Sequence, residues 1–158
     1  MKGNLKLYID TSVWNMALEK GREHTGITNE FLSLVTKENW ILIISNLVMA
    51  EVARAHDFRR KELSDLIEKH KPLLIYSDDS IVNLANLYLL EKLIPSRFRD
   101  DATHIAIATI NHCDFLVSWN FKHIVKASTI KGVHSINFKE GFGMLEIVSP
   151  NQFVGKIV

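Results

Sequence analysis

The 158-residue sequence has a single cysteine, Cys113, so no disulfide can form within the chain. That suits a reducing compartment such as the cytosol and excludes a zinc site built from cysteine pairs. With three prolines and seven glycines, there is no low-complexity linker, no glycine-rich phosphate loop and no obvious internal repeat. Neither charge sign dominates. A formal net charge of +1 is not the footprint of a protein that coats nucleic acid by bulk charge, although it leaves room for a basic patch beside an acidic pocket. No apolar run approaches the ~20 residues of a membrane span. Met1-Lys2-Gly3-Asn4 leads straight into apolar sequence without a signal-peptide h-region. The expectation is a cytoplasmic protein with no membrane association.

What is present is enough apolar sequence for one sizeable core: hydrophobic residues make up 47% and charged residues 23%. Residues 1–158 are read as a single domain. The chain is organised around Leu5-Lys6-Leu7-Tyr8-Ile9-Asp10-Thr11-Ser12, a short apolar strand that ends in an acid and two hydroxyls. Trp40–Ser45, Asp114–Ser118 and Leu145–Val148 are further strands, and Leu73–Tyr76 a brief extended piece. Between them fall helical patterns. A short helix from Ser12 is capped by Asp10, Thr11 or Ser12. A loop over Gly21–Gly26 precedes a helix starting at Thr25 or Thr28. Asn46 caps a helix that carries Glu51. Phe58–Lys71 is amphipathic, and a helix capped by Asp78 or Asp79 runs to about Leu93. Asp100-Asp101 opens another, and Lys122–Lys131 is helical until Gly132-Val133 breaks it. Strands alternating with helices imply right-handed crossovers and an α/β fold with a mainly parallel sheet covered on both faces.

Three carboxylates stand where such a fold places its ligand crevice, beyond the carboxyl ends of the strands. Asp10 follows the first strand, Glu51 lies in the helix after the second, and Asp101 starts the helix before Asp114–Ser118. Converging acids repel one another unless a cation joins them, and Mg²⁺ takes oxygen ligands from one or two carboxylates while keeping several waters. Blander roles stand beside this: Asp10 as a helix cap, Glu51 as a surface glutamate, Asp100 or Asp101 as a cap complementing the helix dipole. His104 and His112, eight apart on a helix, fit ordinary packing or exposure better than ligation.

The ordered set Ile9-Asp10-Thr11-Ser12, Ser45-Asn46-Leu47-Val48-Met49-Ala50-Glu51-Val52, Asp101-Ala102-Thr103-His104-Ile105-Ala106-Ile107-Ala108 and Phe115-Leu116-Val117-Ser118-Trp119-Asn120 resembles a PIN domain. Leu145–Pro150 resembles that family's last strand. Within the family the chain is most similar to VapC-type toxins of toxin–antitoxin pairs and their unassigned relatives. The resemblance implies a three-layer α/β/α fold, a Mg²⁺- or Mn²⁺-dependent ribonuclease, often a homodimer, and an antitoxin partner. It aligns the family's acids with Asp10, Glu51 and Asp101. Asp101 rather than Asp100 fits the Asp-x-x-His-x-Ala pattern. The fourth family position, often aspartate, is Asn120, which offers an oxygen without charge and favours one tightly held ion over two.

The expected chemistry is metal-assisted hydrolysis of RNA phosphodiesters, leaving 5′-phosphate and 3′-hydroxyl ends. Asp10, Glu51 and Asp101 would hold the metal and Asn120 would assist. Ser12 would orient a metal-bound water, and Arg97, Arg99, Lys122 and His123 would contact the RNA backbone. The alternative is a PIN-fold RNA-binding or regulatory module with weak or no turnover. A phosphatase with an aspartate nucleophile would want a second aspartate two residues after Asp10, where Ser12 stands.

Overall fold

The computed structural model describes residues 4–154; residues 1–3 and 155–158 of the expected single domain lie outside the described residues. Their centre is a five-stranded sheet of β1 (Lys6–Ile9), β2 (Ile41–Ser45), β3 (Leu73–Ile75), β4 (Phe115–Val117) and β5 (Glu146–Val148), in the order β3-β2-β1-β4-β5. Every pairing in it is parallel: Leu7 stands beside Leu42 on one side and Phe115 on the other. The brief extended piece at Leu73 is therefore a true strand, paired from Ile43↔Leu73 to Ser45↔Ile75.

Eight α-helices cover the sheet among the described residues: α1 (Thr11–Leu18), α2 (Glu23–Lys37), α3 (Asn46–Ala53), α4 (Asp57–His70), α5 (Asp79–Leu90), α6 (Arg99–Ile110), α7 (Ala127–Lys139) and α8 (Asn151–Val154). α1 packs against α2, α3 and α4, whereas α5 packs against α6 and α7. These two groups are the layers that a parallel sheet requires on its two faces. The middle of β1 carries the core: Leu7, Tyr8 and Ile9 are all fully buried, as are Leu116 and Val117 beside them. No helix among the described residues is long and apolar enough to cross a membrane.

Local expectations shift where packing outweighs the local signal. α2 starts at Glu23 and takes Gly26 into its first turns, because Ile27, Phe31, Leu32 and Val35 line one packed face. Ser45, not Asn46, caps α3, accepting from the Val48 N–H at 3.2 Å; Asn46 instead accepts from the Ser77 N–H. Residues 121–124 form turns, and the helix expected at Lys122 begins at Ala127. Gly132 does not break it. A Cβ there would lie 2.3 Å from Leu93 Cδ2, so this glycine gives α7 room to approach the end of α5.

That approach is fixed by a buried polar knot. The Tyr88 hydroxyl donates to Asn137 Oδ1 at 2.5 Å, and Asn137 Nδ2 donates to Thr109 Oγ1 at 3.1 Å, tying α5, α6 and α7 together. Asn137→Ala removes both bonds and leaves the Tyr88 hydroxyl only its 3.3 Å contact with Thr109 Oγ1, which itself donates to the Ile105 carbonyl, a weakening of about 1–3 kcal/mol. The expected loss in urea-unfolding free energy is about 2 kcal/mol; a loss below about 0.5 kcal/mol would show that the knot does not hold the layer.

Candidate active site

β1 and β4 are neighbours, but the chain leaves β1 toward β2 and leaves β4 toward β5. The crevice at such a switch point is the general ligand position of an open α/β sheet. Asp10 follows β1 and Ser118-Trp119-Asn120 follows β4, so their side chains meet there. Asp10 is only 3% exposed. Its Oδ1 accepts from the Ser12 N–H at 3.1 Å and from the Ser12 hydroxyl at 2.5 Å, and its Oδ2 accepts from the Ser118 hydroxyl at 2.6 Å. The first of these bonds is the N-cap of α1, so one carboxylate is both helix cap and crevice acid. Ser12 Oγ also accepts from the Trp119 N–H at 2.9 Å, and Ser118 Oγ from the Asn120 N–H at 2.9 Å. The Trp119 indole N–H reaches Thr28 of α2 and its ring stacks on His24, so the loop after β4 is pinned to the other layer. Burial pushes the Asp10 pKa up, and the negative charge of Glu51 adds to that; the charge of His104 and the Ser118 and Ser12 hydrogen bonds only partly offset the rise.

Glu51 faces the same crevice from α3. Its Oε1 accepts from the Thr11 hydroxyl at 2.8 Å and from His104 Nε2 at 2.7 Å. His104 is 3% exposed, and its Nδ1 lies 2.7 Å from the Tyr8 hydroxyl. Burial by itself raises the Glu51 pKa, but the His104 hydrogen bond and charge, with Thr11 and Arg54, bring it below the ordinary value. Burial likewise lowers that of His104, yet the Glu51 hydrogen bond and the charges of Asp10, Glu51 and Asp101 raise it overall. The three acids therefore act on one imidazole.

Asp101 lies in the first turn of α6. Its Oδ2 is 2.8 Å from His123 Nδ1, and the His123 ring packs on Phe98 with centroids 4.1 Å apart. Its neighbour Asp100 turns the other way, to Arg54 at 3.5 Å. Neither caps α6, which has no side-chain cap. Arg97 and Lys122 both sit over the Phe98 ring, at 5.0 and 5.8 Å from its centroid, which places two exposed cations beside Asp101. Arg99 does not join them; its guanidinium donates to Asn86 on α5. Asn120 closes the turn after β4, accepting from the His123 N–H at 2.9 Å.

No family model matches the sequence and no curated relative matches it. Solved structures do. VapBC2 of Rickettsia felis, bound to a DNA fragment from its promoter, superposes with a TM-score of 0.60 at 17% identity, covering 92% of this chain and 98% of its own. The DNA-bound VapBC of Salmonella typhimurium gives a TM-score of 0.54 at 15% identity over the same shares, 92% and 98%. The Mycobacterium tuberculosis toxin VapC20, described as cleaving the sarcin-ricin loop, gives 0.54 at 13% identity over 74% and 92%. The fold is that of the VapC-type PIN domain.

On this PIN fold the donor chemistry of the crevice suits a hard divalent cation: carboxylate and hydroxyl oxygens, with no thiolate and with both nearby imidazoles already bonded to acids. Among the described residues no three His, Cys, Asp or Glu side chains form a ready-made ligand cluster. A Mg²⁺ site does not require one, since it uses one or two carboxylates and retains waters. Among the described residues Glu51 Oε2 and Asp101 Oδ1 accept no hydrogen bond, while both oxygens of Asp10 are engaged by serines.

Several residues at the PIN crevice escaped the sequence reading of individual roles: Tyr8, Ser45, Ser118 and the bond from Thr11 to Glu51. The sequence carries a signal for Tyr8 and another for its partner His104, and none for Ser45, Ser118 or the Thr11 bond. Tyr8 and Asp10 are two apart, so they project to the same side of an extended chain, and Tyr8 brings a hydroxyl into an otherwise apolar strand. His104 is three residues past Asp101, a spacing that shares a helix face.

Proposed function

We propose that the protein is a metal-dependent endoribonuclease, the toxin of a toxin–antitoxin pair, which hydrolyses RNA phosphodiesters at the β1/β4 crevice. The observation that carries this reading is Asp10, a carboxylate buried at the switch point and driven toward protonation by burial and by its acidic neighbour. A buried anion beside a second carboxylate is costly unless a cation compensates it. Asp10, Glu51 and Asp101 would hold Mg²⁺ or Mn²⁺. An ion held by these residues would supply a water of lowered pKa and offset charge on a phosphoryl oxygen.

The protein's own groups supply the rest. Ser12 and Ser118 orient Asp10 through short hydrogen bonds. Arg97 and Lys122, carried on Phe98, offer two cations to the RNA backbone next to Asp101. His123 serves Asp101 directly, and Arg99 would reach RNA only by leaving Asn86. The VapBC assemblies of Rickettsia felis and Salmonella typhimurium support an antitoxin as partner, and a homodimer acting in the cytoplasm is part of the same reading.

A second reading is an RNA-binding or regulatory module on the same fold. The uncharged Asn120, whose oxygen is given to the His123 N–H, favours it. One assay separates the two. Incubated with a structured RNA pool, the purified protein should cut in Mg²⁺ or Mn²⁺, stop in EDTA and recover when the metal is restored. RNA bound but uncut in every metal would sink the nuclease reading and leave the binding module.

A further inference from the structure

A continuous polar chain runs under the crevice into Glu51. The Val48 N–H donates to Ser45 Oγ at 3.2 Å, Ser45 Oγ lies 2.7 Å from the Tyr8 hydroxyl, and that hydroxyl lies 2.7 Å from His104 Nδ1. His104 Nε2 meets Glu51 Oε1 at 2.7 Å. Ser45 and Tyr8 are fully buried and His104 is 3% exposed. The chain draws on β1, the end of β2 and α6, so its far end cannot move without moving the core.

We propose that His104, held in place by Tyr8, is a positioning residue that fixes the Glu51 carboxylate for its part in the site. This rests on the reading above, in which Glu51 helps to hold the ion. The Glu51 side chain has three rotatable bonds, and α3 ends only two residues beyond it. Left to itself it would sample many orientations, and ordering such a side chain costs about 1.5–2 kcal/mol. Two donors on one oxygen, Thr11 Oγ1 at 2.8 Å and His104 Nε2 at 2.7 Å, settle that orientation within the fold. Glu51 Oε2 is then left free for the crevice.

The proton order of the chain supports a fixed geometry. With His104 neutral, Ser45 donates to Tyr8, Tyr8 donates to Nδ1, and the Nε2–H donates to Glu51, so each group is satisfied once. With the imidazole charged, the Nδ1–H donates to Tyr8 and Tyr8 donates to Ser45, while the Val48 N–H still donates to Ser45. In both states the Nε2–H donates to Glu51, so the positioning bond does not depend on the protonation of His104. An apolar side chain of similar volume would fill this space without needing partners, which points to orientation rather than stability as the chain's contribution.

Two substitutions separate these roles. His104→Gln keeps an amide near the Nε2 position and can still donate to Glu51. His104→Asn keeps one near Nδ1, reaching Tyr8 but not Glu51. Mn²⁺ binding to the metal-free proteins is measured by titration calorimetry, with melting temperature in EDTA as the check on folding. His104→Asn is expected to weaken Mn²⁺ by about tenfold or more, in the range usual for loss of a ligand-orienting partner. His104→Gln should stay within about threefold of the parent, and Tyr8→Phe should fall between. Excess Mn²⁺ should restore cleavage by the Asn variant. Equal Mn²⁺ affinities in parent, Asn and Gln proteins would overturn the proposal, as would equal losses in both variants. If His104→Asn does not fold, Tyr8→Phe against His104→Gln carries the comparison in the same way. A parent that binds no Mn²⁺ overturns the metal reading itself and this role with it, an outcome distinct from variants that match a binding parent.

Discussion

Asp10→Asn is expected to abolish RNA cleavage and, in the same protein, to raise the melting temperature at neutral pH. The loss of activity follows from removing the charge that would hold the ion. Metal-assisted stabilisation of a phosphoryl transition state is worth several kcal/mol, so the rate should fall by about a thousandfold or more. The gain in stability follows from burial. Burial and the charge of Glu51 oppose ionisation of Asp10 and raise its pKa from the ordinary 3.8, and Asn carries no charge at any pH. Asn also preserves the bonds: its oxygen accepts from Ser12, and its amide donates to Ser118 Oγ once that hydroxyl rotates. A group whose folded pKa lies above its unfolded value binds more protons in the native state, so its contribution to stability falls as pH rises through the folded pKa. The advantage of Asn should therefore vanish near and below the ordinary pKa of 3.8 and be complete above the raised one. Thermal melts in EDTA at several pH values test this, at roughly 2–4 °C per kcal/mol for a chain of this length. Added Mg²⁺ should stabilise the parent and leave the Asn variant unmoved. A variant that cuts RNA like the parent would remove Asp10 from the site, and one that melts well below it would show that the carboxylate contributes to the fold through its serine bonds.

The acids were legible because their setting is local. Asp10 ends an apolar run, and a carboxylate at the tip of a buried strand stands out in one dimension. Asp101 was separable from Asp100 only through the family's spacing, and the reason is now visible: the two diverge, one to His123 and the other to Arg54. What could not be read depends on partners far away in sequence. Ser118 and Asp10 are 108 residues apart and meet only because β1 pairs with β4. Arg99 resembled a backbone-contacting cation until α5 placed Asn86 against it. Gly132 carried the usual sign of a helix end, yet its missing side chain answers to Leu93 across a packing seam. From the sequence His104, like His112 eight residues on, fits ordinary packing or exposure better than ligation. Here it is core and partner at once, which periodicity alone cannot distinguish.

Glu51→Gln gives the second large effect, and its signature is a pH profile. The raised pKa of His104 contributes stability that is complete below its ordinary value of 6.5 and is lost as pH rises through the folded one. The lowered pKa of Glu51 contributes stability that is complete above its ordinary value of 4.5 and is lost as pH falls through the folded one. Both contributions are complete only between about pH 4.5 and 6.5. Gln keeps an oxygen for His104 Nε2 and Thr11 but carries no charge, so the hydrogen bonds survive and the ion pair does not. The stability of the parent relative to the variant, followed by urea unfolding in EDTA, should be greatest in that window and shrink on either side. Cleavage should fall by about a hundredfold or more, since one metal-holding charge is gone. A difference that stays flat from about pH 4 to 9 would mean that His104 remains neutral against Glu51 throughout. Asp10 and Glu51 would then face each other across the crevice without an internal cation, and the need for an external one would be greater still.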